Sequence, residues 1–232
     1  MKRALLGATK DELKNIALEC GLPAFAGGQM AAWLYQKRVR SIDGMTDLSK
    51  AGRERLKEQY ELGLIEPLES LTSRDGTRKY LFPFRREGVA TGLSAIEAVV
   101  IPDGDRKTLC VSSQAGCKMG CRFCMTGRQG FHGNLSAAEI LSQFLAIEEA
   151  PELTNTVFMG MGEPLDNWDE VRRAISRFRA LNSAARCAKR RPPSRRLWPN
   201  ASLATALKNA RSQADTSISR SQIRITKLSR RR

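Results

Sequence analysis

Apolar residues recur at helical spacing in two stretches of the chain and alternate with polar ones in a third, and this pattern lays out its elements. Ile140, Leu141, Phe144 and Leu145 form one helical stripe, opened by Ser136 and Glu139 at capping-box spacing. Trp168, Val171, Ile175 and Phe178 share the face of a second helix, opened by Asn167 with Glu170. Between them the run TVFMGMG, about Thr156 to Gly162, predicts a buried strand ending in a glycine-rich turn. Helix, strand, turn and helix in that order are the grammar of βα units.

Upstream the period shortens to two. Ile96, Ala98 and Val100 alternate with Glu97 in AIEAVVIP, which by itself reads Glu97 as a solvent-facing strand residue. Asp75-Gly76 separates SLTSR from TRKYLF, and Asp103-Gly104 follows AIEAVVIP and precedes RKTLCVSS; both are hairpin signals. Residues 1–66 read as a small helical domain. Its first helix opens on a Thr9–Glu12 capping box and stops at Gly21, a second runs from Gln29 to about Val39, and a third from Asp47 or Ser49 to Tyr60, with Leu56 and Tyr60 on one face. Trp33, Tyr35, Lys37 and Arg38 mix aromatic and basic side chains on the second helix, which suits either an RNA-facing surface or a core with a solvated face.

The pattern fades after Asn182, and charge explains why. From Ser183 to Arg232 there are 14 Lys and Arg against one acid, Asp215, a net +13, whereas the preceding 182 residues carry 25 bases against 23 acids, a net +2. The basicity thus belongs to the tail, whose 50 residues hold one aromatic side chain, Trp198. Such a composition buries too little surface to offset the entropy of ordering, which predicts disorder or a frayed helix near Ser202 to Ala210. No stretch approaches the roughly 18 apolar residues of a membrane span, and Lys10, Asp11 and Glu12 interrupt any leader-like apolar run near the start, so a cytoplasmic location is expected.

Three of the six cysteines, Cys117, Cys121 and Cys124, lie within eight residues, too close for an ordinary disulfide framework. Their C-x3-C-x2-C spacing lets three thiolates reach three irons of one cubane and leaves the fourth iron without a protein ligand. A structural zinc site needs a fourth ligand, and Cys110, Cys187 and His132 stand at no characteristic finger spacing. His132, in a polar stretch, reads as a surface residue, and Glu12, Glu139 and Glu170 as capping partners.

With an aromatic residue just before its last cysteine this is the radical S-adenosylmethionine pattern. The longer run CVSSQAGCKMGCRFCMTGRQGF, followed by NLSAAEI, together with MTDLSK, DGTRKYLF and VFMGMGEPL, resembles the RlmN/Cfr family of RNA adenine C2-methyltransferases from about Leu13 to Leu181. The resemblance implies an α/β fold, a partial (βα)6 barrel behind a small N-terminal helical domain associated with RNA binding. It implies a 4Fe-4S cluster on Cys117, Cys121 and Cys124, and S-adenosylmethionine bound at the glycine-glutamate turn Gly160 to Pro164, with Gly162 and Glu163 meeting its methionine ammonium. It makes Glu97 the base for the adenine C2 proton and Cys110 the cysteine that resolves a covalent protein-RNA adduct by forming a disulfide. 23S ribosomal RNA and transfer RNA are the implied partners, with a flavodoxin- or ferredoxin-type electron donor.

The same resemblance asks for a second, methyl-carrying cysteine far downstream, and Cys187 in ARCAKRR does not look like that segment. The expected division is a helical domain at 1–66, the N-terminal part of the barrel at 67–182, and a replaced or out-of-frame basic tail at 183–232, with the rest of the barrel missing and the activity defective. From Cys110 to Asn182 there is room for roughly two βα units of about 30 residues. The alternatives are a noncatalytic metal-containing RNA-binding protein and a different radical S-adenosylmethionine reaction.

Overall fold

The structure, a computed structural model, describes residues 2–84, 95–188 and 224–225. The N-terminal unit is helical: β1 (Arg3–Ala4), α1 (Lys10–Glu19), α2 (Ala26–Tyr35), a 3-10 turn at Ile42–Gly44, α3 (Lys50–Gln59) and β2 (Tyr60–Glu61), with β1 and β2 paired in parallel. Local sequence sets α1 and α3. Thr9 Oγ1 accepts from the Glu12 amide at 3.0 Å while the Glu12 carboxylate accepts from the Thr9 amide at 2.6 Å, and Ser49 caps α3 through the Gly52 amide.

The second helix is displaced from its expected span: it starts at Ala26, not Gln29, and ends at Tyr35, not Val39. Packing decides both ends, since Ala26 and Met30 are fully buried and Arg38 turns the chain with a left-handed φ of 52°. Tyr35 belongs to the core. Its hydroxyl accepts from the Gly7 amide and donates to the Ala8 carbonyl, both at 2.9 Å, and burial pushes the phenol up to about 12. Lys37, just past the end of the helix, instead lies over the Trp33 ring at 3.5 Å and pairs with Asp47, so this stretch presents a core side and a solvated side.

Next come β3 (Glu69–Thr72), β4 (Arg78–Pro83), β5 (Ala95–Asp103) and β6 (Arg106–Cys110), an antiparallel meander whose β3–β4 and β5–β6 turns fall at the two aspartate-glycine pairs. The chain then forms β7 (Gln114–Gly116), α4 (Met125–Arg128), β8 (Phe131–Asn134), α5 (Ala137–Leu145), β9 (Asn155–Val157) and α6 (Trp168–Ala188). β7 and β8 pair antiparallel as a separate ribbon, β9 joins β6 in parallel, and β10 (Arg224–Ile225) pairs antiparallel with β9. The result is a mixed α/β sheet behind a helical unit. Among the described residues it contains one parallel step, β6 to β9, where the length allowed about two.

One face of the sheet is closed. Tyr80, Phe82, Ile96, Ala98, Val100 and Leu109 are at most 2% exposed and join one core with Ile140, Leu141 and Phe144 of α5 and Val171, Ile175 and Phe178 of α6. The Phe144 and Phe178 rings meet edge to face at 4.7 Å, an arrangement worth about 1 kcal/mol beyond the area it buries. The other face carries Lys79, Leu81, Glu97, Val99 and Cys110, half-buried or exposed.

Two expectations are corrected. The strand around TVFMGMG is three residues long and half-exposed, because the chain leaves the ladder after Val157 to cross Val111 and Ser112; only Phe158 and Met161 are buried there. Glu170 does not cap its own helix: its carboxylate accepts from the Ala137 amide at 2.6 Å and so caps α5, which also opens on its Ser136–Glu139 box. The disorder or frayed helix expected near Ser202 to Ala210 lies outside the described residues. Among those described, no helix is long and apolar enough to cross a membrane.

Candidate active site

The turn after β9 is built by close approach. A Cβ on Gly160 would lie 2.7 Å from Ser112 Oγ, and one on Gly162 would lie 2.4 Å from Gln114 Cβ, where the backbone already holds a φ of +95°. The turn is then stitched to the connection before β7. Ser112 Oγ donates to the Glu97 carbonyl at 2.6 Å and accepts from the Met161 amide at 2.8 Å, while the Ser113 and Gln114 amides both donate to the Met161 carbonyl. Glu163 follows, its amide donating to Gln114 Oε1 at 2.9 Å and its carboxylate accepting from the Leu165 amide at 3.1 Å.

Cys117, Cys121 and Cys124 occupy the loop between β7 and α4, each half-buried and free. The loop is pinned at its base by the Cys117 amide on the Gly130 carbonyl at 3.0 Å, and the Met119 amide approaches Cys117 Sγ at 3.5 Å. Its tip is open: Phe123 is 91% exposed, and Met119 and Met125 are exposed beside it. Among the described residues no three His, Cys, Asp or Glu side chains converge on one ion. A mononuclear site requires that convergence, whereas a cubane takes each thiolate on a different iron. Three soft sulfur donors fit such a cluster, with an amide already directed at one sulfur. Ser113 Oγ, buried beside the turn without a hydrogen-bond partner, is the kind of group that a polar cofactor satisfies.

Loop and turn share one hub. Gln114, fully buried, donates from Nε2 to Asn134 Oδ1 at 2.8 Å and to Asp166 Oδ2 at 2.6 Å, and Asp166 also receives Lys118 Nζ at 3.1 Å. Burial works to raise the Asp166 carboxyl, but the bonds from Gln114 and Lys118 outweigh it and hold the group below its ordinary range. Asn167, at the start of α6, uses its side-chain amide to donate to the Ser113 and Leu135 carbonyls. Motif reading passed over Gln114 and Asp166, and took Asn167 only as the opener of its helix. A detectable signal was there for the first, a long amide in an otherwise apolar-and-small run before the cysteines.

Glu97 and Cys110 sit on the open face of the sheet, where the register places Glu97 against Leu81 and Val99 against Cys110. Glu97 is exposed and paired with Lys79 at 3.1 Å. Burial pushes the Cys110 thiol up, against a smaller opposing effect of a backbone bond at Met159. Cys110 is free, and the disulfide implied for it does not occur among the described residues. His132 lies on β8, not in a loop, with its ring Nε2 2.9 Å from the Gln129 carbonyl. Cys187 falls in the last turn of α6. A cavity of about 340 Å³ lies elsewhere, lined by Arg3, Glu12, Tyr60, Ser136 and Arg173 among others, and holds none of these candidates.

Comparison with known proteins matches the two regions separately. Residues 3–62 match the ribosomal RNA large subunit methyltransferase N-terminal domain, and residues 111–191 match the radical SAM superfamily. The probable dual-specificity RNA methyltransferases RlmN of Porphyromonas gingivalis and Phocaeicola vulgatus are 55% and 56% identical over 174 residues, each covering 75% of this chain and 48% of the relative. The dual-specificity RNA methyltransferase RlmN of Alkalilimnicola ehrlichii is 40% identical over 219 residues, 92% of this chain and 58% of that one. The crystal structure of a radical SAM methyltransferase from Sphaerobacter thermophilus superimposes with a TM-score of 0.65 at 36% identity, covering 75% of this chain and 51% of that one. The chain spans about half the length of the curated relatives it matches first.

Proposed function

Because the chain belongs to the RlmN family of radical SAM proteins, we propose that it serves in methylating C2 of adenine in 23S ribosomal RNA and transfer RNA, and that its own residues carry the radical-initiating half of that task. The observation that supports this reading most is the pairing of three free thiols on one short loop with a glycine-glutamate turn, the loop bonded to Asp166, the turn to Gln114, and those two to each other. Cys117, Cys121 and Cys124 would hold a 4Fe-4S cluster, and the Gly162 backbone with the Glu163 carboxylate would receive the ammonium of S-adenosylmethionine through charge-assisted bonds. Together the two groups supply reductive cleavage of a sulfonium bond and hence a carbon radical.

The chain's residues then divide the remaining work. Glu97, an exposed carboxylate on the open sheet face, accepts the proton from the adenine C2 carbon. Cys110 lies on the same face and is kept as a neutral thiol by burial, which slows its oxidation. The helical unit contributes RNA contact, and a flavodoxin- or ferredoxin-type protein supplies the electron. Thiols of this kind persist in a reducing compartment, which favours the cytoplasm.

Anaerobic reconstitution tests the reading. The expected result is about four irons and no zinc per chain, followed by 5′-deoxyadenosine on addition of reductant and S-adenosylmethionine, and neither in Cys124→Ala. One zinc without iron would instead identify a noncatalytic RNA-binding protein. Deoxyadenosine with no methylated adenosine in 23S or transfer RNA, under conditions where a full-length relative methylates both, would point to a different radical reaction.

A further inference from the structure

We propose that Lys118 and Asp166, held by Gln114, form a positioning bridge that fixes the cysteine loop in register with the glycine-glutamate turn. The inference rests on the function proposed above and adds residues that the family resemblance did not supply. Its basis is where the contacts go. The other hydrogen bonds described for the cysteine loop, residues 117–124, stay inside the segment 117–130: Cys117 to Gly130, Met119 to Cys117, Cys124 to Cys121, the Arg128 amide to the Cys124 carbonyl, and the Arg128 side chain to the Arg122 carbonyl. Among the described residues Lys118 makes the loop's one ion pair, and it leaves the loop to reach Asp166, two residues after Pro164. The Lys118 ammonium also lies 4.3 Å from the Phe131 ring centroid, so its long side chain is gripped from both sides of the ribbon base.

Asp166 is connected onward. The same oxygen that takes Lys118 accepts Gln114 Nε2 at 2.6 Å, and the other end of that amide receives the Glu163 amide at 2.9 Å. The path from loop to turn is therefore Lys118, Asp166, Gln114, Glu163, three consecutive polar contacts with the central amide fully buried. A cofactor chelated by a cluster on the loop and gripped by the turn has to span a fixed distance, and small displacements of one relative to the other are costly to such geometry. Lys118 and Asp166 act through the loop and turn; neither is assigned contact with the reacting atoms.

The test uses the full chain reconstituted anaerobically, with Lys118→Met, Asp166→Asn, the double variant, and Lys118→Arg. Lys118 and Asp166 are 49% and 27% exposed, so these substitutions leave the buried Gln114 itself unchanged, and far-UV circular dichroism with thermal unfolding confirms folding. All variants keep the three cysteines and are expected to bind iron as the wild type does. The Kd for S-adenosylmethionine is expected to rise about fivefold in each single variant, the scale of a partly exposed charge-assisted contact. The double variant should be no worse than the singles, since one bridge is broken in each. The change that S-adenosylmethionine causes in the electron paramagnetic resonance spectrum of the reduced cluster should weaken or broaden in the variants, and Lys118→Arg should recover it. Unchanged affinity and spectrum in Lys118→Met and Asp166→Asn would overturn the bridge. A wild-type chain that takes up no iron, or does not bind S-adenosylmethionine, would overturn the underlying function instead.

Discussion

The glycine-glutamate turn and the cysteine loop would hold opposite ends of one cofactor assembly, yet they are made in opposite ways. The turn is closed on itself: Gly160 and Gly162 approach Ser112 and Gln114 so tightly that no side chain fits, and the Gly160, Met161 and Glu163 amides and the Met161 carbonyl are already hydrogen-bonded. The loop is open, with Phe123 almost fully exposed, and its polar contacts are short-range apart from Lys118. The turn's shape is thus complete in the polypeptide, whereas the loop's is left for its inorganic ligand to finish. That division matches the energetics of metal sites, where ligand binding and local folding share one free energy.

Glycine substitution breaks the comparison most directly. Gly162→Ala forces a side chain into a left-handed backbone and against Gln114, and is expected to cost roughly 2–4 kcal/mol in urea unfolding of the cluster-free chain. Gly120→Ala, in the loop, also has a positive φ of 59° but meets nothing within 4 Å, and should cost only about 1 kcal/mol. Equal losses at the two positions would mean that the turn is no more preformed than the loop.

The next effect appears on cluster assembly. Amide hydrogen exchange in residues 117–130 should slow by about tenfold or more when the cluster is reconstituted, because only the folded loop binds it. Exchange at residues 160–164 should stay nearly the same. Protection that spreads equally to both would show that the turn, too, is ordered by the metal.

The same contrast explains which parts of the molecule were legible in the amino-acid sequence. Thr9 with Glu12, Ser136 with Glu139, and the two aspartate-glycine turns act within a few residues, so local pattern found them and the structure retains them. The cysteine loop was legible as a motif for a similar reason, since its C-x3-C-x2-C spacing lies within eight residues of chain. Glu170 was misread because its partner, the Ala137 amide, is 33 residues away, and no local rule separates capping one helix from capping another. Gln114 was missed because its importance is tertiary: three partners distant in sequence, Asn134, Glu163 and Asp166, converge on one amide in a strand too short to show a period. The helix at Ala26–Tyr35 shifted because burial of Ala26 and Met30 outweighed the weak helix propensity of Gly27 and Gly28.

Thiol chemistry sharpens the comparison on the turn's side, where Cys110 bonds the Met159 backbone. Burial raises its pKa above the ordinary 9.0, so the neutral thiol is favoured in the folded chain. Its contribution to stability is therefore whole below pH 9 and is lost as pH rises through the higher folded value. Alkylation of Cys110 by iodoacetamide, followed by mass spectrometry, should keep accelerating beyond pH 9, whereas an unfolded control levels off near it. A plateau at the same pH in both states would remove burial as the cause.

The smallest stability effect is expected at Glu97, which belongs to neither the turn nor the loop and separates holding the cofactor from using it. Its ion pair with Lys79 joins side chains 48% and 39% exposed, so Glu97→Gln should change unfolding free energy by no more than about 0.5 kcal/mol. Iron content and 5′-deoxyadenosine formation should be unaltered, since no cluster or cofactor contact is removed. In a full-length relative carrying the equivalent change, methylation should fall by at least about a hundredfold, the scale of losing a general base. Retained methylation would remove Glu97 from the proton transfer and leave it as an ordinary solvent-facing strand residue, while a parallel loss of deoxyadenosine would place it in cofactor positioning with the turn.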